Sequence, residues 1–153
     1  MEAYIIIITT LIFSALFSGM EIAFVSSNKL RFEIEKKKHK ISSGIIEYFY
    51  KHNDHYISTM LVGNNVVLVI YGIEMAKILE GPLSTFIHNS FLIMLVQTIL
   101  STIIVLITGE FIPKTLFKAN PNFWLNILAP FIFLIYIILY PITIFATFLS
   151  KNI

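Results

Sequence analysis

The feature that most constrains this chain is the approach to Glu110, where about 18 residues from Phe91 onward pass without one charged side chain. A helix needs about 20 predominantly apolar residues to cross roughly 30 Å of hydrocarbon, and two earlier stretches also reach that length. Membrane spans are expected at about 3–25, 57–79 and 90–112. Apolar residues make up 57% of the 153 and charged residues only 13%, against about a quarter charged in soluble domains. No soluble core of this size hides so much apolar surface. Glu2, not a basic residue, precedes the first run, so a retained span is expected there in place of a cleaved signal peptide.

The fold class that follows is all-α integral membrane, a single transmembrane domain over residues 1–153 with three transmembrane helices. Gly81-Pro82 is expected to make the turn after the second span. Phe123–Leu149 is long and apolar enough to cross as well, but Pro130 and Pro141 each kink or break a helix. Short, Pro-broken cytoplasmic juxtamembrane helices are therefore expected over about 114–150, with a second juxtamembrane region over about 28–54.

Lysine and arginine set the orientation. Lys29, Arg31, Lys36, Lys37, Lys38, Lys40 and Lys51 all fall between the first and second spans, and residues 80–89 contain none. The first loop is then cytoplasmic, the N-terminus lies outside, and Lys114 and Lys118 return to the cytoplasm with the C-terminus. The expectation is a multi-pass protein of the plasma (inner) membrane. Leu30, Ile34, Ile45, Ile46, Phe49 and Tyr50 recur at roughly helical spacing within the basic loop. Amphipathic helices touching anionic lipid fit that pattern, and a solvated basic loop explains the charge equally well.

Several functions find no support in the residues. Without cysteine there is no disulfide framework, thiolate zinc site or cysteine catalysis, and the four histidines are scattered. No nucleophile–base pair is evident, so the chain is not read as an enzyme. Nucleic-acid binding has only Lys36 to Lys38 in its favour and is not expected.

Ionisable groups inside a span usually face a pathway, a partner or an ion. Glu21 and Glu110 are the two carboxylates set within apolar stretches, and Ser18 shares a helical face with Glu21. Asn64 and Asn65 bring amide oxygens to the second span. Pro113 has no N–H to donate and crowds the carbonyl of Gly109, four residues back, which would lie beside the Glu110 carboxylate. Carboxylate, amide, hydroxyl and carbonyl oxygens together suit Mg²⁺ or another small hard cation. Other readings stand beside this one. Ala15, Gly19 and Ala23 form a small-residue stripe into which Ser18 fits as a packing residue. The two asparagines suit a cap or an interhelical hydrogen bond, Glu21 a pair with Lys29 or Arg31, and Pro113 a simple kink. Glu110 has the weakest such alternative.

Three segments, Phe17-Ser18-Gly19-Met20-Glu21-Ile22-Ala23, Leu61-Val62-Gly63-Asn64-Asn65-Val66-Val67 and Gly109-Glu110-Phe111-Ile112-Pro113-Lys114-Thr115, resemble in order the S-x-x-E-x-A, I-G-N-N and G-E-x-x-P-K signatures of the cyclin-M/CorC magnesium transporters. Asn120-Pro121 and Tyr140-Pro141 fit the same pattern. The resemblance implies a homodimer that exports Mg²⁺ coupled to Na⁺ entry. It implies Ser18, Asn64, the Gly109 carbonyl and Glu110 as metal ligands, with Gly63, Pro113, Glu21 and Asn65 in support. One departure is Leu68, where the family often has a second asparagine one turn after the first. Relatives also continue into regulatory CBS domains that bind adenine nucleotide, and often a CorC C-terminal domain, none of which follows Ile153. The expectation is a membrane domain of a longer protein. The alternative function is a non-transporting membrane scaffold or accessory protein of an envelope assembly, motivated by Leu68.

Overall fold

The computed structural model describes residues 2–35 and 40–152 and is all-helical over them. In chain order the elements are α1 (Glu2–Ser26), α2 (Lys29–Glu35), α3 (Lys40–Lys51), α4 (Asn53–Phe86), α5 (Ser90–Val105), a π-helical turn (Leu106–Phe111), α6 (Ile112–Ala119) and α7 (Pro121–Asn152). Four segments, Glu2–Ser26, Asn53–Phe86, Ser90–Ala119 and Pro121–Lys151, are long and apolar enough to cross a membrane. The basic cluster Lys36, Lys37 and Lys38 lies outside the described residues.

α1 packs along α4 and also touches the π turn, α6 and α7, while α5 packs mainly on α4 and the adjoining turn. The main core sits where the C-terminal half of α1 meets α3, the start of α4 and the first half of α7. Aromatic rings fill it: Phe24 and Phe49 stand 4.4 and 4.6 Å from Tyr56, and Phe117 stacks on Trp124 at 4.5 Å. Such pairs add to burial through the opposed charge of ring face and edge. The Tyr56 hydroxyl donates to the Met20 carbonyl at 2.9 Å, so the one polar atom of this fully buried ring is satisfied. α2 and α3 are amphipathic as the spacing suggests, and they bury Phe32, Ile46 and Phe49 in this core.

Two turn and break assignments need correction. Gly81-Pro82 does not end the second helix: α4 continues to Phe86 with Pro82 inside it, and Ser84 and Thr85 hydroxyls bond the Gly81 and Pro82 carbonyls at 2.7 and 2.6 Å. The connection comes at 87–89, where the Asn89 side chain accepts from the Phe91 N–H at 2.9 Å and caps α5. Nor is the last segment Pro-broken. α7 is one helix of 32 residues with Pro130 and Pro141 inside. Pro130 removes the ladder bond to the Asn126 carbonyl, and the Ser42 hydroxyl on α3 takes it over at 2.7 Å. Neighbouring groups that satisfy freed carbonyls let a helix run through proline.

The course of α7 bears on the site. At its start Asn122 is paired twice with Asn28, accepting from its N–H at 3.1 Å and donating to its carbonyl at 3.2 Å. Towards its end Thr143 accepts from Thr59 at 3.1 Å, and Ala146 to Lys151 face Lys51 to Val62 across a cleft of about 650 Å³. Both ends thus lie against residues that border the same basic segment between α1 and α4.

Candidate cation site

α1 carries Ser14 and Ser18 one turn apart on one face, and α4 brings Asn64 against it. The Ser14 hydroxyl donates to Asn64 Oδ1 at 2.7 Å, joining the two helices. Asn64 can approach because its neighbour Gly63 has no side chain. A Cβ there would stand 2.6 to 3.0 Å from carbons of the Phe17 ring. Gly19 does the same toward α6, where a Cβ would meet the Phe117 ring at 2.7 to 2.8 Å. The small-residue stripe is therefore engaged within this chain, with Ala23 fully buried beside it.

The third contributor is the π turn. Its sequence Leu-Ile-Thr-Gly-Glu-Phe ends just before α6, and Pro113 is buried in the first turn of that helix. The Ile112 N–H reaches back to the Ile107 carbonyl, five residues away, so the ladder has slipped by one. Pro113 gives no N–H to the carbonyls that precede it, that of Gly109 among them. The Thr108 hydroxyl meanwhile satisfies the Ile104 carbonyl at 2.7 Å. Gly109 is buried, and a Cβ on it would stand 3.0 Å from Ser14 Oγ and 3.1 Å from Val105. Ser14, Asn64 and Gly109 thus converge from three elements.

Glu110, half-buried, follows Gly109 directly and lines a cleft of about 390 Å³ between α4 and α5. Leu68 stands in the same cleft, where it presents a methyl group in place of an amide oxygen. Ser18 is buried at 2% exposure and makes no side-chain hydrogen bond among the described residues. Glu21 is half-buried, one residue past the Met20 carbonyl that Tyr56 engages, and has no ion pair among the described residues. Lys29 lies instead 5.2 Å over the Tyr50 ring. Asn65, the next residue along α4, is exposed and outside the Ser14–Asn64 contact.

Sequence reasoning missed Ser14 as the direct partner of Asn64. The signal was present in the four-residue spacing of Ser14 and Ser18, which puts both on one face. Among the described residues no three His, Asp or Glu side chains cluster. Glu110, next to Gly109 in sequence, is the acidic residue that adjoins this cluster along the chain.

Irregular backbone and a half-buried carboxylate set among long apolar helices fit a multi-pass membrane protein. A family profile described as the cyclin M transmembrane N-terminal domain matches residues 5–153, and the chain belongs to that family. It is 28% identical to the UPF0053 protein MG146 of Mycoplasma genitalium over 143 residues, 91% of this chain and 33% of that protein. Identity to the MG146 homolog of Mycoplasma pneumoniae is also 28%, over 134 residues, 85% of this chain and 31% of the relative. The chain spans about a third of the length of these curated relatives.

Proposed function

We propose that this chain is the ion-conducting membrane domain of a divalent-cation transporter, a carrier and not an enzyme, with Mg²⁺ as its cargo, exported in exchange for entering Na⁺. The observation that carries the reading is the meeting of Ser14, Asn64 and the π turn, which leads straight into Glu110. Ser18, Asn64, the Gly109 carbonyl and Glu110 then serve as ligands, Ser14 orients Asn64, and Gly63 and Pro113 keep the backbones in place. Glu21 and Asn65 support this set from outside it. Mg²⁺ takes near-ideal octahedral coordination and keeps several waters, which suits a site with one carboxylate and few protein oxygens.

In this reading three helices cross the membrane, and α7 lies along the cytoplasmic boundary. Its two ends flank the basic segment 26–54, which the positive-inside rule puts in the cytoplasm of a plasma-membrane protein with its N-terminus outside. Lysines there, Lys29 and Lys51 among them, meet anionic lipid. A homodimer with cytoplasmic CBS domains in the whole protein completes the assembly.

The test is Mg²⁺-dependent thermal stability of the purified protein, because a ligand that binds only the folded state raises its midpoint by mass action. Mg²⁺ is expected to raise the midpoint more than Na⁺ at equal ionic strength, and Glu110→Gln to lose most of that rise while still folding. An equal rise in both proteins overturns the site. Leu68 in the cleft that Glu110 lines is the observation that favours the second reading, a non-transporting scaffold. Leu68→Asn tightens Mg²⁺ binding if the site works as proposed, and changes nothing in a scaffold.

A further inference from the structure

The cleft between α4 and α5 carries chemistry that the Ser14–Asn64–Gly109 cluster does not use. On the α5 side it is walled by Gln97, Thr98, Ser101 and Thr102, whose spacing puts all four on one face of a helix that is otherwise apolar after Ser90. The Thr98 and Thr102 hydroxyls donate back to the Met94 and Thr98 carbonyls, both at 2.7 Å. With their protons committed to the helix, these oxygens offer only lone pairs to the cleft. Gln97 Oε1 is shielded and has no hydrogen-bond partner among the described residues. An amide oxygen kept in that state at membrane depth invites a cation or water.

The opposite wall is built to stay open. Gly72 and Ala76 face the polar stripe from α4, and a Cβ on Gly72 would meet nothing within 4 Å. The Tyr71 hydroxyl donates to the Ser101 carbonyl at 2.8 Å and ties the two walls together midway. Glu110 closes one end, about 20 Å from Gln97 at the helical rise of 1.5 Å per residue. That separation excludes a single ion held by both. It fits a path with a carboxylate at its inner end and an amide near its outer end.

We infer that this cleft is the outer half of the cation's route, along which a partly hydrated Mg²⁺ leaves Glu110 between α4 and α5 past Thr102, Ser101 and Thr98 to Gln97. The inference rests on the Glu110 reading above and adds the direction of exit to it. Gln97 is then a positioning residue for the ion and not a ligand of the inner site.

The chain has no cysteine, so single-cysteine variants label without background. In right-side-out vesicles, Gln97→Cys and Ser101→Cys are expected to react with a small cationic methanethiosulfonate from outside at least tenfold faster than Ile99→Cys and Ile103→Cys, which replace exposed apolar residues away from the cleft. Gly72→Leu, whose Cβ would meet nothing within 4 Å, is expected to cut Mg²⁺ flux at least tenfold while leaving the Mg²⁺ concentration for half-maximal stabilisation within twofold. Equal slow labelling at all four positions overturns the route, as does undiminished flux in Gly72→Leu. Spontaneous intermolecular cross-linking of Gln97→Cys in place of labelling also overturns it and gives the cleft to a second copy of the chain. Thermal stabilisation of Glu110→Gln is measured alongside. If Mg²⁺ still stabilises that variant, the inner site itself is wrong, whereas a lost response with unlabelled cleft cysteines removes the route alone.

Discussion

Asn64 cannot serve a cation unless its amide is held, and Ser14 is what holds it. The hydroxyl donates to Oδ1, which fixes the oxygen's direction and leaves its second lone pair free. Ser14→Ala removes that constraint. Interhelical hydrogen bonds in membranes average about 0.6 kcal/mol, so the expected loss of stability is small, while the Mg²⁺ needed for half-maximal stabilisation should rise several-fold. A midpoint drop with unchanged Mg²⁺ response would make Ser14 purely structural. Gly63→Val is the opposite case. Its Cβ would stand within 3.0 Å of the Phe17 ring, and overpacking of this kind costs about 1–3 kcal/mol, read as a lower midpoint in urea or heat. At this scale Asn64 and Glu110 stood out as an amide and a carboxylate within apolar runs, and Gly109 through Pro113 four residues on. Ser14 was not, because helical spacing shows that Ser14 and Ser18 share a face but not which turn of α1 lies level with Asn64. The axial offset of α1 and α4 decides that, and it follows from the fit of Phe17 over Gly63.

Among the elements, proline has three different outcomes, and its local sequence alone does not separate them. Pro113 follows a slipped ladder and leaves a π turn, Pro82 sits inside the last turns of α4, and Pro130 lies in an unbroken α7. What differs is who receives the freed carbonyl. For Pro130 it is the Ser42 hydroxyl, 84 residues from the Asn126 carbonyl it binds, which no periodicity reveals. The three long apolar runs were readable because their length answers to the thickness of hydrocarbon, whereas the continuity of α7 depended on that remote hydroxyl. Ser42→Ala should therefore loosen the middle of α7, seen as faster hydrogen exchange around residues 126–130, with exchange in α5 unchanged. Pro113→Ala restores the missing N–H and lets the ladder return to α-helical register. The expected result is equal or greater stability without Mg²⁺ and at least a threefold weaker Mg²⁺ response. An unchanged response would separate the π turn from the site.

On the scale of the whole molecule, the two ends of α7 decide how many times the chain crosses. Asn122 is fastened to Asn28 at one end, and Ser150 and Lys151 share a cleft with Lys51 and His52 at the other, so under the proposed three-span arrangement both ends stay on the basic side. Lys118→Cys and Lys151→Cys should both be shielded from an impermeant reagent applied outside, and Ser84→Cys should react. Outside labelling at Lys151→Cys would make α7 a fourth span and reverse the C-terminus. Glu110 and its neutral oxygens are proposed to move Mg²⁺. The most direct test is efflux of Mg²⁺ from loaded proteoliposomes on addition of external Na⁺, with the unaltered protein and Glu110→Gln compared at equal incorporation. Na⁺-stimulated efflux that falls at least tenfold in Glu110→Gln is expected. Efflux that is absent in both, or equal in both, would contradict the proposal.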